Sequence, residues 1–434
     1  MHRIVIVGGG AGGLELATRL GNRHRRGGRA SVTLVERART HLWKPLLHEV
    51  AAGSLDRSEH ELDYLAQAHW HHFIYRFGEM VGLDREAREI ELAATFDEEG
   101  REITPATRLG YDTLIMAVGS VSNDFGTPGV AEYAIPLDTT EQASRFHRRL
   151  IDACLRANAQ EGPVRPGQLH IAIIGAGATG TELAAELHST VRAVVAYGLD
   201  RIQPERDIRI ILLEAAPRIL PPLPERIAHE TMRLLRELGV EVRTGTRVAE
   251  VRADGIVLAD GGFLPSELIV WAAGVKGPDF LHEIGGLETN RVNQLVVEQT
   301  LRTTRDPAIF AIGDCAACPQ PDSEQQVPPR AQAAHQMASH MIDQLDRILD
   351  GRPLEPFVYR DFGSLVSLGH YSTVGNLMGG LLGRSFFIEG LFARLMYRSL
   401  YQMHLSALHG KAPTLWRYWL SIFSRRPAPT VKLH

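Results

Sequence analysis

The chain has few cysteines. Only Cys154, Cys315 and Cys318 occur in 434 residues, too few for the disulfide framework that stabilises small secreted domains. The N-terminal sequence MHRIVIVGGG leads directly into a predicted strand and lacks the pattern of a secretion signal. We therefore expect a cytoplasmic protein.

Long hydrophobic runs and a strong charge of either sign are also absent. No window of about 18 uninterrupted apolar residues occurs, and even GNLMGGLLG is interrupted by Arg384, so we expect no membrane span. The formal net charge of −4 argues against a nucleic-acid-binding protein. A length of 434 residues is typical of two or three domains.

A glycine-rich turn follows the first apolar run. RIVIVGGGAGGLELATRL predicts a strand, a turn with Gly8, Gly10 and Gly13, and an amphipathic helix. In such a motif the glycines permit the turn, close approach to a pyrophosphate and close packing of helix on strand. A second predicted strand, SVTLVER, ends in Glu36, where a carboxylate accepts from an adenosine ribose. The sequence thus predicts a dinucleotide-binding unit.

The same pattern recurs in the middle of the chain. HIAIIGAGATGTELAAEL carries Gly175, Gly177 and Gly180 between a predicted strand and helix, and IRIILLEA ends in Glu214. The interval before Glu214 is long, which we interpret as an insertion in RAVVAYGLDRIQPERD. No arginine directly follows Glu214, which favours NADH over NADPH because a 2′-phosphate would meet a like charge. Arg218 is close enough in sequence to leave NADPH open.

Two short predicted strands end in Gly119 and Gly274, and a Gly-Asp pair follows late in the chain at Gly313 and Asp314. In these three further features the chain resembles the two-dinucleotide flavoprotein reductases. In those proteins the first unit holds FAD, the second holds NAD(P)H, and the late Gly-Asp pair binds the flavin ribityl chain. The resemblance implies an α/β fold with two Rossmann-like dinucleotide-binding domains. We predict an FAD-binding domain in two parts and an NADH-binding domain between them, with boundaries at 1–140, 141–289 and 290–360, followed by a C-terminal membrane-association region at 361–434.

Thiol chemistry is not expected. Disulfide reductases and sulfide-oxidising quinone reductases of this fold need a cysteine pair beside the flavin. The stretch HLWKPLLHEVAAG contains no cysteine, and no cysteine follows Cys318. Cys315 and Cys318 lack a thioredoxin-like context or a second ligand pair, which favours small packed residues over a redox or zinc site. Because His69, His71 and His72 have no adjacent carboxylate, an exposed helix end is favoured over a metal site.

Several motifs resemble the type II NADH dehydrogenases, the single-subunit NADH:quinone oxidoreductases of respiratory membranes that do not pump protons. In chain order they are HLWKPLLHEVAAGSLD, GSVSNDFGTPGVAEYAIPLDTTEQA, WAAGVKGPDFL, GDCAACP, PPRAQAAHQMA and the C-terminal KLH. The resemblance covers nearly the whole chain and is strongest to the bacterial enzymes. It implies transfer of hydride from NADH to FAD, and then of electrons to a membrane quinone.

The resemblance also implies roles for individual residues. The positions that would hold FAD are Gly8, Gly10, Gly13, Glu36, Lys44, Pro45, Gly119, Gly313, Asp314 and Ala331. Those that would hold NADH are Gly175, Gly177, Gly180, Glu214 and Gly274. Glu182 matches an acidic residue near the nicotinamide; the alternative is a first-turn carboxylate that interacts with the helix dipole.

The stretch AQAAHQMA, residues 331–338, predicts the first turns of a long helix that begins near Pro329. On a 3.6-residue period Gln332, His335 and Gln336 share one face, with alanines around them. From the pattern alone, this stripe faces solvent or a neighbouring turn. The resemblance instead implies that Gln332 and His335 donate to a quinone carbonyl and that His335 can supply a proton, while Gln336 binds quinone or supports the helix.

From Arg384 onward the sequence is basic and contains one acidic residue, Glu389. A predicted helix places basic and polar residues on one face and apolar residues on the other, followed by two tryptophans: Arg394, Arg398 and Gln402; Phe392, Leu395, Met396, Leu400 and Met403; Trp416 and Trp419. This pattern is typical of an amphipathic helical anchor on an anionic lipid surface. A core-covering or dimerising helix is the alternative. We expect a peripheral protein on the cytoplasmic face of the inner membrane.

Two other functions remain open from the sequence. A soluble NADH oxidase or diaphorase of the same fold would pass electrons to oxygen or to a small protein. An NADH-sensing flavoprotein would signal through association rather than turnover. The expected partners are NADH, a membrane quinone and a lipid surface, with no nucleic acid, and a homodimer is left open.

Overall fold

The first apolar run forms the central strand of a five-stranded parallel sheet. The computed structural model describes residues 1–25, 28–321, 325–368, 372–378, 385–389, 401–408 and 431. In order across this first sheet, the strands are Ile309–Ala311, Thr113–Met116, His2–Val7, Ala30–Glu36 and Ile74–Phe77. Residues 4–7 are buried, which explains why this strand is an uninterrupted apolar run and not an alternating one. The sheet joins the start of the chain to residues 309–311.

A second five-stranded parallel sheet repeats this design. Its strands, in order, are Ile135–Pro136, Leu268–Trp271, His170–Ile174, Arg209–Leu213 and Glu241–Arg243. In both sheets a glycine-rich turn follows the carboxyl end of the central strand, which is where open parallel sheets bind ligands. The two predicted Rossmann-like units are therefore confirmed.

Long helices follow both glycine turns. The long helices of the described residues are Ala11–His24, Thr140–Ala159, Ala178–Ala196, Glu225–Glu237 and Ala331–Leu349. Shorter α-helices are Leu47–Ala52, Arg57–His60, Tyr64–His71, Val130–Tyr133 and Pro204–Asp207. Single 3₁₀ turns are Lys44–Leu46, Asp279–Leu281, Ile284–Gly286 and Gly313–Cys315. Helices Ala11–His24 and Ala331–Leu349 pack against each other, so the last long helix lies beside the first glycine turn.

Three sequence predictions about helices are confirmed. The AQAAHQMA helix exists and begins at Ala331, two residues after Pro329. The insertion before Glu214 extends helix Ala178–Ala196 and adds the short helix Pro204–Asp207. The three histidines lie at the end of helix Tyr64–His71, where His69 and His72 are exposed.

Small antiparallel sheets complete the two units. Two of them have three strands each: Met80–Asp84, Glu89–Leu92 and Thr107–Gly110; Val248–Arg252, Gly255–Leu258 and Phe263–Pro265. Two-stranded pairs are Thr40–His41 with Leu62–Asp63, Thr95–Phe96 with Glu102–Thr104, Val121–Ser122 with Val275–Lys276, and, in parallel, Leu295–Val296 with Ala316–Ala317. The pair Val121–Ser122 and Val275–Lys276 links the segment after the first unit to the segment after the second.

The C-terminal region corrects one expectation. A helical anchor was predicted from Arg384 onward, but Ser385–Glu389 is a strand that pairs with Ser372–Met378, which in turn pairs with Gly363–Leu368. The physical reason is that the SFFI sequence favours strands and finds a partner edge in its neighbour. Residues 401–408 are helical and contain Gln402 and Met403. The other residues named for the anchor, Phe392, Arg394, Leu395, Met396, Arg398, Leu400, Trp416 and Trp419, lie outside the described residues.

Within the described part of the chain, no helix combines the length and the apolar character needed to cross a bilayer.

Candidate active site

One cleft of about 2250 Å³ connects the two glycine turns. It starts at the carboxyl end of the first sheet, reaches the first turns of helix Ala178–Ala196 and borders helix Ala331–Leu349. Most of the sequence-predicted site residues line it: Gly8, Gly10, Gly13, Glu36, Lys44, Pro45, Gly119, Gly177, Glu182, Gly313, Asp314, Ala331, Gln332, His335 and Gln336. The other four, Gly175, Gly180, Glu214 and Gly274, lie off its wall.

The glycines of the first turn differ in what surrounds them. A Cβ at Gly8 would lie 2.4 Å from the Ala117 carbonyl oxygen, and one at Gly13 would lie 1.9 Å from the Gly8 oxygen. Packing alone therefore requires glycine at these two positions. A Cβ at Gly10 would meet nothing within 4 Å. The space beside Gly10 is open, as a backbone that approaches a pyrophosphate requires.

The second turn reproduces this division. A Cβ at Gly175 would lie 2.7 Å from atoms of Ala272, and one at Gly180 would lie 2.0 Å from the Gly175 oxygen. A Cβ at Gly177 would meet nothing within 4 Å. Packing therefore requires glycine at Gly175 and Gly180 as it does at Gly8 and Gly13. Gly177 borders the open space.

Two carboxylates bind the backbone of the turns. Glu36 Oε2 accepts from Gly9 N at 2.6 Å, and Glu214 Oε2 accepts from Ala176 N at 2.8 Å. Arg218 does not reach Glu214; its guanidinium donates to the carbonyl oxygens of Leu223 and Pro221 at 2.8 and 2.6 Å. The structure thus ties Arg218 to its own loop.

Lys44 and Asp314 meet at Ser120 in the wall of the cleft. Lys44 Nζ donates to the Ser120 carbonyl oxygen at 2.8 Å, and the Ser120 hydroxyl donates to Asp314 Oδ2 at 2.8 Å. Gly119, with φ of 70°, precedes this serine and gives the turn its left-handed backbone. The segments near residues 44, 119 and 314 are therefore held together although they are distant in sequence.

Glu182 and His48 form a buried pair at the junction of the two units. His48 Nδ1 lies 3.6 Å from Glu182 Oε2, and Ser367 N donates to Glu182 Oε1 at 2.9 Å. Burial raises the pKa of Glu182 to about 8 and lowers the pKa of His48 to about 4. Although the two atoms lie within ion-pair range, burial favours the neutral form of both groups at neutral pH. The first-turn dipole interpretation of Glu182 is wrong, since the helix begins at Ala178 and Glu182 lies in its second turn.

Two glutamines of the AQAAHQMA stripe bind the backbone of residues 360–363. Gln336 Nε2 donates to the Arg360 carbonyl oxygen at 2.8 Å, and its Oε1 accepts from Arg360 N at 3.0 Å. Gln332 Nε2 donates to the Gly363 carbonyl oxygen at 3.0 Å, and its Oε1 accepts from Phe362 N at 3.2 Å. The stripe therefore holds one wall of the cleft and does not point to open solvent.

His335, between these glutamines, has a charged partner. Its Nδ1 lies 2.6 Å from Glu15 Oε2 on helix Ala11–His24. The hydrogen bond to this carboxylate raises the pKa of His335 above its ordinary value. The stripe is thus divided between two amides that bind backbone and one imidazole that binds a carboxylate.

A buried histidine pair links the first glycine turn to residues 401–408. His41 Nδ1 lies 2.9 Å from the Gly9 carbonyl oxygen, and its Nε2 lies 3.0 Å from His404 Nε2. The His404 ring stacks on Trp43 with 5.8 Å between ring centroids. Tyr64 also donates to the Gly9 oxygen, at 2.7 Å. A C-terminal helical segment thereby contacts the nucleotide turn.

The cysteines take no part in the cleft. Cys154, Cys315 and Cys318 are buried and free, and none lines the cavity. Burial raises the pKa of the Cys315 thiol to about 12 and that of Cys318 to about 12, so both stay protonated. The prediction that Cys315 and Cys318 are small packed residues is confirmed.

Sequence reasoning missed four residues of this site: Glu15, His41, His48 and His404. Glu15 carried no usable signal, because apolar residues at positions 14 and 16 do not place the residue between them on the buried face of a helix. His41 and His48 stand inside HLWKPLLHEVAAG and carry no periodicity that separates them from core residues. His404 is more than 360 positions from His41, and no local pattern pairs them.

The parallel sheets, the two glycine turns and the shared cleft define a class, the pyridine nucleotide-disulphide oxidoreductases, whose family model matches residues 2–338. A type II NADH:quinone oxidoreductase of Haemophilus influenzae is 42% identical over 446 aligned residues, covering 100% of both chains. NdhA of Mycobacterium tuberculosis, also a type II NADH:quinone oxidoreductase, is 29% identical and covers 98% of this chain and 88% of its own. The chain belongs to the type II NADH:quinone oxidoreductases.

Solved structures share the fold. NDH2 from Plasmodium falciparum, in complex with NADH, superposes with a TM-score of 0.81 at 19% identity, covering 99% of this chain and 100% of the other. The sulfide:quinone oxidoreductase of Aquifex aeolicus has a TM-score of 0.72 at 17% identity, covering 98% and 96%. At these identities the likeness concerns the fold alone.

Proposed function

We propose that this protein oxidises NADH and reduces a membrane quinone by way of a bound FAD. The observation that carries the proposal is the continuity of the cleft, which borders Gly10 of the first turn, Gly177 of the second turn and His335 of the last long helix. One shared space allows two dinucleotides and an acceptor to meet. Two separate pockets would keep the dinucleotides apart and would not allow this direct transfer.

The first unit fits FAD. The open space beside Gly10 suits a pyrophosphate, and Glu36 stands at the end of its strand, where a ribose would lie. We assign the rest of the cofactor's wall to Gly8, Gly13, Lys44, Pro45, Gly119, Gly313, Asp314 and Ala331. When bound, a flavin accepts a hydride from NADH and passes electrons to the next acceptor, so the protein's contribution is alignment and exclusion of water.

The second unit fits NADH. Gly177 offers the same open space as Gly10, and Glu214 is equivalent to Glu36. Glu214 disfavours the 2′-phosphate of NADPH, because two negative charges would lie side by side. The Arg218 guanidinium is bound to carbonyl oxygens of its own loop, so it is already engaged away from Glu214. Gly175, Gly180 and Gly274 shape the backbone behind this site.

Glu182 and His48 are proposed to border the nicotinamide end. Burial favours the neutral forms of both groups, so this pair would place no net charge beside a bound nicotinamide. Glu182 also binds Ser367 N, which ties this helix to the C-terminal sheet.

The helix Ala331–Leu349, which we call the stripe helix, is proposed to border the end of the cleft where the electron acceptor binds. Gln332 and Gln336 hold residues 360–363 as a wall, and His335 supplies hydrogen-bond and proton chemistry beside it. Three large apolar side chains line the same cleft although more than half of each is exposed: Val358 at 57%, Phe362 at 55% and Met403 at 54%. An apolar rim around a polar site suits an acceptor with a polar ring and a hydrocarbon tail.

We further propose that the chain attaches to the membrane surface through residues 361–434, and that the domains have the boundaries 1–140, 141–289 and 290–360. The basic and apolar composition after Arg384 supports attachment to anionic lipid. The test is deletion of the chain after Arg384. Loss of membrane association together with quinone activity is expected, whereas unchanged quinone activity in the soluble fraction would contradict the proposal.

The activity itself is tested with purified, lipid-supplemented protein. NADH oxidation that depends on added quinone is expected, with a clear preference for NADH over NADPH. Flavin that NADH reduces and that no quinone reoxidises would contradict the proposal.

A further inference from the structure

Four side chains join two helices beside the cleft. Glu15 Oε1 accepts from Arg19 Nη1 at 2.9 Å, and Glu15 Oε2 lies 2.6 Å from His335 Nδ1. Arg19 Nη1 also donates to Ser339 Oγ at 2.7 Å. Within each helix the two residues are four positions apart, so they lie on one face. The network therefore fixes one turn of helix Ala11–His24 against one turn of helix Ala331–Leu349.

The members of the network differ in exposure. The Glu15 side chain is 1% exposed, whereas the His335 side chain is 41% exposed and lines the cleft. A buried carboxylate is costly unless it is paired and hydrogen-bonded, so Glu15 depends on Arg19 and His335. Because Glu15 is buried, it cannot exchange protons with water directly. His335 can do so while its ring stays bound to Glu15.

The hydrogen bond decides which nitrogen of His335 titrates. An ionised carboxylate only accepts, so Nδ1 carries a hydrogen in both protonation states of the ring. Nε2 is therefore the nitrogen that gains and loses a proton. After that loss, the bond to Glu15 stays in place and the ring need not turn. A carboxylate that fixes a tautomer in this way also stabilises the imidazolium.

Quinone reduction by NADH requires one proton beyond the hydride, because NADH, one proton and a quinone give NAD⁺ and a quinol. We propose that Glu15 is a positioning residue for this step: it holds His335 so that the Nε2 hydrogen of the imidazolium passes to a quinone oxygen, and solvent then restores the proton. The inference rests on the proposed function and deepens it. It adds Glu15 to the site and assigns the proton to one nitrogen.

Other charged groups near the helix bind elsewhere. Arg19 faces the same network and opposes protonation of His335, but the hydrogen bond to Glu15 outweighs it and leaves the pKa raised. Asp314, on the 3₁₀ turn that packs against the same helix, accepts from Ser120. Asp361, on the wall segment, pairs with Arg330 at 3.1 Å. Glu15 is thus the carboxylate that acts on His335.

The first test measures the pairing itself in full-length, flavin-loaded protein. With ¹³C-labelled histidine, the resonance missing from His335→Gln identifies His335. The variant is Glu15→Gln, and the matched control is Asp346→Asn, because Asp346 pairs with Arg23 across the same two helices and lies off the cleft wall. We expect a titration midpoint above 6.5 in the wild type and the control, lower by about one to three pH units in Glu15→Gln. Equal midpoints in the wild type and Glu15→Gln overturn the inference.

The second test measures the proton's use. Flavin reduced by NADH without oxygen is mixed with a short-chain quinone or with ferricyanide, a one-electron acceptor that takes up no proton. The ratio of the quinone rate to the ferricyanide rate is expected to fall with rising pH, and to fall about one to three pH units earlier in Glu15→Gln. Identical profiles in the wild type and the variant overturn the inference.

Failure of the proposed function gives a different result. If no quinone reoxidises wild-type flavin, the proposed function is wrong, and the assignment of the proton falls with it whatever the histidine titration shows. If Glu15→Gln does not fold, His335→Gln takes its place, with the rate ratio expected to fall at least about tenfold, as for loss of a general acid. An unchanged ratio in His335→Gln overturns the inference.

Discussion

Glu36 and Glu214 make the same two hydrogen bonds at equivalent places in the two units. Glu36 accepts from Gly9 N at 2.6 Å and from Ala38 N at 3.0 Å. Glu214 accepts from Ala176 N at 2.8 Å and from Ala216 N at 2.8 Å. In each unit one carboxylate therefore joins the glycine turn to the loop after the second strand. The matched geometry allows the two proposed cofactor sites to be tested against each other.

Substituting these glutamates one at a time should separate the two sites. Glu36→Ala is expected to lose bound flavin, whereas Glu214→Ala should keep it and raise KM for NADH about tenfold or more, because a hydrogen bond to a charged group contributes about 1.5–3 kcal/mol. Flavin absorbance per protein and NADH kinetics are the measurements. Equal loss of flavin in the two variants would contradict the assignment.

Gln336 tests the wall of the acceptor end. Gln336→Ala removes both hydrogen bonds to the Arg360 backbone, so the free energy of unfolding should fall by about 1–3 kcal/mol. KM for quinone should rise, while reduction of the flavin by NADH stays fast. Gln332→Ala should behave alike, since it loses the bonds to residues 362 and 363. Urea unfolding and quinone kinetics are the measurements. If neither the free energy of unfolding nor KM for quinone changes in the two variants, these glutamines do not form the wall of the acceptor site.

The raised pKa of Glu182 should make the free energy of unfolding fall as pH rises. Burial raises its pKa to about 8 in the folded protein, from an ordinary 4.5, so the folded state binds a proton that the unfolded state releases. This carboxyl therefore makes the wild type lose stability as pH rises from about 4.5 to about 8. Glu182→Gln does not titrate. The free energy of unfolding of the variant minus that of the wild type should therefore increase across this range and level off above it.

The measurement is urea unfolding of wild type and Glu182→Gln at several pH values from 5 upward. The exposed Glu161 provides the control, because Glu161→Gln should run parallel to the wild type. Parallel curves for Glu182→Gln as well would show that Glu182 ionises normally.

The hydrogen bond between His41 and His404 fastens residues 401–408 to the first glycine turn. The Gly9 carbonyl oxygen fixes the hydrogen of His41 on Nδ1, and burial lowers the pKa of His41 to about 4. His41 Nε2 must then accept from His404 Nε2. His404→Ala leaves this buried acceptor without its donor, at a cost of about 1–3 kcal/mol. Faster proteolysis within 401–408 is expected, with Gln402→Ala as the control, and equal cleavage of the two variants would contradict the account.

Local signals made the two Rossmann-like units predictable from the sequence. Gly8, Gly10 and Gly13 stand within six positions, and Glu36 ends the next strand, so one short window contains the whole pattern. The stripe helix was predictable for the same reason, since Gln332, His335 and Gln336 share a face by spacing alone.

The partners of those residues were not predictable, because they lie far away in the chain. The sequence does not indicate that Gln336 binds Arg360 or that His335 meets Glu15, 320 positions away. The strand Ser385–Glu389 lies in the region predicted as a helical anchor, although the helical spacing behind that prediction begins only at Phe392. Pairing with Ser372–Met378 decides its structure, and that pairing has no local signature.

Stopped-flow absorbance of the flavin follows the passage of electrons from NADH to a quinone through the one cleft. Without oxygen, one equivalent of NADH per flavin should bleach the flavin, and one equivalent of a short-chain quinone should then restore the colour in full. Flavin that bleaches and stays bleached in excess quinone would contradict the account.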